Sequence, residues 1–203
     1  DTKRLIPKTP LRFLFFVSRP HLKWAAGAFV FVTLAQGLST SLSYAYKHII
    51  DTTQAVTLGN AEVSAVWFAG ALYIAMVVCG AVSWRCSGFT GMRWIMGLNA
   101  TAYDVLFAYV TKHSHSYFSN RFAGSLSSQL GHASDGAQSL AEGFIWNYYP
   151  HILSLVLTVA YMASVSMLVA GLFAAIVLIL LPLNIVLARR RRPHVVAYSR
   201  QVT

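Results

Sequence analysis

GFIWNYYPHILSLVLTVAYMASVSMLVAGLFAAIVLILLPLNIVLA, residues 143–188, decides how this chain is read. The stretch contains no Asp, Glu, Lys or Arg. As a single α-helix it would be about 69 Å long, roughly twice the ~30 Å hydrocarbon core of a bilayer. The expectation is therefore two membrane spans, at 143–163 and 168–188, joined by a short turn within 164–171.

Working outward, two more uncharged segments have the same character. Residues 24–46, beginning at Trp24 and ending at Tyr46, are long enough to cross a bilayer, and so are residues 63–84, with Trp67 and Trp84 near the ends where interfacial aromatics belong. The composition agrees: 56% of the 203 residues are hydrophobic and only 11% charged, against roughly 25% charged in an average soluble domain. The expected fold is an all-α membrane protein with four transmembrane helices.

The formal net charge of +10 could point to nucleic acid, but the basic residues collect at segment ends. They lie between Lys3 and Lys23, within 85–142, and in the run Arg189, Arg190, Arg191 and Arg192. With the N-terminus in the cytoplasm, residues 1–23, 85–142 and 189–203 are cytoplasmic and hold all of the 16 Lys and Arg except Lys47. That is the positive-inside pattern, and it replaces a nucleic-acid partner with a membrane one. The four arginines read as a lipid anchor at the cytoplasmic end of the fourth span, with 189–203 opening a second cytoplasmic extension.

Residues 9–20 are rich in Leu and Phe, interrupted by Arg12 and Arg19 and bounded by Pro10 and Pro20. Too short to span, they read as an interfacial elbow helix behind a basic tail, together residues 1–23. The central segment 85–142 reads as two helical extensions. Ala102, Val105, Leu106, Tyr109 and Val110 recur at three- and four-residue spacing, and so do Leu126, Leu130, Ala133, Ala137, Leu140 and Ala141. Between them Ser119, Asn120 and Gly124 supply turn chemistry.

Catalytic and metal chemistry find no constellation. The six acidic residues are scattered, and Cys79 and Cys86 have no further soft ligand nearby. His113 and His115 stand two apart, on different faces of a helix, and His132 and Asp135 have no spacing that would bring them together with that pair. His151 reads as a neutral imidazole at headgroup level among Trp146, Asn147, Tyr148 and Tyr149. Pro182 and Asn184 interrupt the fourth span without deciding its role.

The series Ser116-Tyr117-Phe118, two further residues, then Phe122-Ala123-Gly124-Ser125-Leu126 resembles the first intracellular loop of the ABC exporters. The elbow and the order of the spans resemble that family too. The resemblance implies a coupling loop within 85–142. In it Ser116, Tyr117, Phe118, Ser119, Asn120, Arg121 and Gly124 rest on a nucleotide-binding domain. It further implies a dimer with a second transporter half, identical or different, and ATP with Mg bound in a domain outside this chain. The plasma membrane or a bacterial inner membrane is the implied location. The chain departs from the family by ending after four spans of six. It also contains no Gly-x-x-x-x-Gly-Lys-Ser/Thr loop, so it holds no ATP site and no cofactor of its own. The alternative function is a four-span accessory or structural subunit of a larger membrane complex. An exporter-like domain driven by an ion gradient ranks last, since the four spans hold no acidic residue.

Overall fold

The computed structural model describes residues 7, 9–111 and 123–202, with side chains up to 111 and, of the second stretch, for 128–184 and 186. All elements among these residues are helical, and four helices are long and apolar enough to cross a membrane. The chain is thus a multi-pass membrane protein by length and composition. Two compact units are present, one up to Ser154 and one from Leu155.

The first unit opens with α1, Pro10–Ser18. Pro10 suits the first helical position, where a missing N–H costs nothing and φ is already set. Pro20 then interrupts the helical ladder, and Arg19–His21 tightens into a 3₁₀ turn. His21, at φ −109° and ψ 13°, is the non-helical joint before α2, Leu22–Thr57. Where α2 ends, Asn60 N–H donates to Ala55 C=O at 2.9 Å and Gly59 N–H to Val56 C=O at 3.0 Å. This is a Schellman closure, and Gly59 at φ +76° occupies the left-handed position it requires. The next helix, α3, runs from Val63 to Val110.

Helices α2 and α3 form an antiparallel hairpin through small residues. On α2 the buried positions Ala25, Ala28, Val32 and Ala35 alternate at three and four. A Cβ on Gly27 would lie 3.3 Å from Thr90, and one on Gly80 would lie 3.8 Å from Leu38. Between membrane helices, where burial of apolar surface gives little advantage over lipid, close backbone approach of this kind is what holds a pair together.

This register has a consequence for length. If Gly27 faces Thr90 and Leu38 faces Gly80, then Leu22 lies beside the segment around Ile95, and α3 continues to Val110. The excess is about 20 Å of helix. The next helix, α4, Ala123–Glu142, runs back along that excess, and its Leu130, Ser134, Ala137 and Ala141 are buried. The product is a two-helix arm projecting beyond the start of α2.

Packing is densest where the arm meets the hairpin. Val17 of α1, Ala28 and Val32 of α2, Ile95, Leu98 and Ala102 of α3, and Ala137, Ala141 and Ile145 all belong to one core. By contrast, Val63, Trp67, Phe68, Leu72 and Ile74 at the far end of α3 are exposed. In an apolar solvent such a surface is ordinary.

After α4 the chain passes through a π-helical segment, Gly143–Tyr148, into α5, Tyr149–Val165. The cause is Pro150, which offers no N–H to the preceding turn and whose ring would crowd a carbonyl there. Widening to an i→i+5 pattern relieves this, and Tyr149 N–H accordingly donates to Phe144 C=O. In the second unit, α5 reaches Val165 and the single residue Ser166 separates it from α6, Met167–Val202.

Candidate functional site

The arm base holds a packed chain of polar side chains. Ser134, 1% exposed, donates its hydroxyl to Asn99 Oδ1 at 2.7 Å and also lies 3.1 Å from the Asn99 carbonyl. Asn99 Nδ2 donates to Gln138 Oε1. Gln138 Nε2 in turn donates to Glu142 Oε1 at 2.8 Å. The donors run in one direction and end on a carboxylate, which when ionised only accepts. Three of the four residues, Ser134, Gln138 and Glu142, share a face of α4 at four-residue spacing, and Asn99 meets them from α3.

Such a chain fixes the register of the two arm helices, since apolar packing alone tolerates sliding and hydrogen bonds do not. Asn99→Leu removes the side-chain acceptor of Ser134 and the donor to Gln138 Oε1, leaving Ser134 only the backbone carbonyl of residue 99 and Gln138 only Glu142, at a cost of about 1–3 kcal/mol. The expected result is faster amide hydrogen exchange across 99–110 and 123–138, with exchange in 63–84 unchanged. Exchange equal to wild type in the arm would refute the register role.

A second polar contact ties the N-terminal joint to the arm. His21 Nε2 and the Thr101 hydroxyl are 2.9 Å apart, and the His21 ring lies where a Cβ on Gly97 would be, 2.5 Å from its Nδ1 and Cε1. Nearby, Gly91 makes room for Trp146, whose Cζ2 would lie 2.8 Å from an added Cβ. The α5 end joins through Tyr149, whose hydroxyl is 2.6 Å from Thr33 Oγ1 and whose ring meets Phe29 edge-on at 4.9 Å.

Within the hairpin, between α2 and α3, is a cleft of about 280 Å³ lined by Gln36, Ser39, Leu42, Met76, Gly80 and Trp84 among others. Gln36 and Ser39 give this cleft its polar edge.

Of the residues the sequence singles out for coupling, Ser116, Tyr117, Phe118, Ser119, Asn120 and Arg121 lie outside the described residues. Gly124 is in the first turn of α4. Arg189, Arg190, Arg191 and Arg192 belong to α6 by backbone, and their side chains are outside the description. His151 is exposed, and its Nδ1 bonds the Asn147 carbonyl of its own helix rather than a neighbouring one. Cys79 and Cys86 are both free thiols, and no three His, Cys, Asp or Glu side chains gather among the described residues.

Sequence reasoning passed over Asn99, Ser134, Gln138, Glu142, His21 and Thr101. The signal was available in the four-residue spacing of Ser134, Gln138 and Glu142. The periodicity instead favoured Ala133 as the inward residue of that turn. In the structure Ala133 is exposed and Ser134 is buried, because the hydroxyl finds an acceptor on Asn99. No family model matches the chain, and neither a curated protein nor a solved structure shows significant similarity to it.

Proposed function

We propose that this chain forms the front part of the transmembrane domain of an ATP-driven exporter of the ABC type. The observation that carries the reading is the two-helix arm: α3 and α4 continue past the start of α2 by about 20 Å and stay hydrogen-bonded to one another at their base. A membrane subunit that only stabilised its neighbours would have no use for a stiff lever at one end. In this reading the N-terminus and the arm are cytoplasmic, α1 lies in the membrane interface as the elbow, and Arg189–Arg192 anchor the fourth span to lipid.

Ser116, Tyr117, Phe118, Ser119, Asn120, Arg121 and Gly124 would then bear on a nucleotide-binding domain that holds ATP and Mg. Closure of two such domains in a dimer of transporter halves would push on the tip, and the Asn99–Gln138 chain would carry that displacement along both helices together. The cleft at Gln36 and Ser39, between α2 and α3, is the candidate place for substrate contact.

The test is to purify the native assembly from its own membrane, then measure the intact mass of this polypeptide and Mg-ATP hydrolysis in the same fraction. The expected result is hydrolysis in that fraction, from an ATPase domain on the same polypeptide or on a stoichiometric partner. A polypeptide near 22.3 kDa in a complex without ATPase activity would favour the four-span accessory subunit instead.

A further inference from the structure

Arg93 is an exposed cation lying over two rings. Its guanidinium carbon lies 4.7 Å from the Trp24 ring centre and 4.6 Å from that of Phe89. The two rings meet edge to face at 6.4 Å. Cation–π contacts to two rings set at an angle to one another restrict a side chain that would otherwise sample many rotamers.

No carboxylate among the described residues pairs with Arg93; the ion pair found there is Lys47–Asp51, at 3.9 Å. Arg85, also exposed, stands eight residues earlier on the same strip of α3, with Phe89 halfway between. The two cations are about 12 Å apart along the helix axis. Val78 and Val82, 54% and 56% exposed, continue the strip into the uncharged span. Trp24 opens the first uncharged segment, which is where an interfacial tryptophan sits.

A guanidinium at the edge of a bilayer, oriented and lacking an internal counterion, matches a phosphate oxygen pair in geometry and charge. The exposed valines beneath it match an acyl chain. We propose that Arg93, positioned by Trp24 and Phe89 and supported by Arg85, binds the phosphate of an anionic phospholipid, with one acyl chain lying along Val82 and Val78. The site needs only that α2 and α3 cross a bilayer, and it is independent of the exporter reading.

The test uses the full chain in detergent micelles, with native mass spectrometry reading retention of phosphatidylglycerol against phosphatidylcholine of identical acyl chains. Arg93→Gln is expected to lower the preference for phosphatidylglycerol about tenfold, the effect of losing one charge-assisted pair. Arg93→Lys keeps the charge but loses the planar fork, and a drop of about threefold is expected. Arg19→Gln, an exposed cation off the strip, should leave the preference as in wild type. An unchanged preference in Arg93→Gln, or in Arg93→Lys should the first variant not fold, overturns the site. An equal loss in Arg19→Gln overturns it in favour of diffuse charge attraction. Displacement of the lipid by an equal concentration of glycerol phosphate overturns the lipid assignment, because a soluble phosphate would then satisfy the site without an acyl chain.

Discussion

Gly97→Ala is expected to dislodge His21 and loosen the joint between the N-terminal helix and the arm. The added Cβ would stand 2.5 Å from two ring atoms and 2.9 Å from a third, closer than any carbon contact allows. The ring must swing out, and its bond to Thr101 goes with it. Overpacking of this kind costs about 1–3 kcal/mol, and the lost hydrogen bond adds about 0.5–1.5 kcal/mol. The comparison with His21→Ala isolates the cause. In that background the three nearest contacts of the methyl group are gone, so the cost of Gly97→Ala should fall below about 1 kcal/mol in a double-mutant cycle read by denaturant titration in micelles. Equal costs in both backgrounds would show that the clash is absorbed elsewhere.

If the chain belongs to an exporter as proposed, replacing Tyr117 and Phe118 together with alanine is expected to uncouple it from the nucleotide-binding domain. Aromatic anchors at the centre of an interface each contribute about 2 kcal/mol or more when truncated, and 1.4 kcal/mol is a factor of about ten. Substrate-stimulated ATP hydrolysis of the full assembly should therefore fall at least about tenfold, while basal hydrolysis and membrane insertion remain. Stimulation at the wild-type level would remove the coupling role from this corner and, with it, the main sequence argument for the exporter reading.

The parts of the fold legible in the sequence were those controlled by the solvent. Four uncharged segments had to be helices because lipid satisfies no backbone hydrogen bond. A turn within 164–171 was required by length, and Ser166 separates α5 from α6. The periodic run from Leu126 to Ala141 falls within α4, which begins at Ala123. What could not be read was which helices touch. Asn99 looked like an isolated polar residue in an apolar run, and only the antiparallel register of α3 and α4 brings it to Ser134 and Gln138. His21 looked like part of a basic tail, since nothing local says that Gly97 opens a space for its ring. The stack at Arg93 was equally hidden, because its two rings are contributed by different helices, one of them nearly seventy residues earlier in the chain.

The widened turn at Gly143–Tyr148 also sets an angular phase. A helix that carries one additional residue emerges rotated by about 100° relative to its uninterrupted course, for only about 1.5 Å of travel. Tyr149 is the first residue past that offset, and its contacts with Thr33 and Phe29 depend on the rotation having been made. Removing one residue from Gly143–Tyr148 would therefore act chiefly as a turn of the screw rather than as a shortening, carrying the tyrosine ring around the helix axis and away from α2 while leaving its position along that axis almost the same.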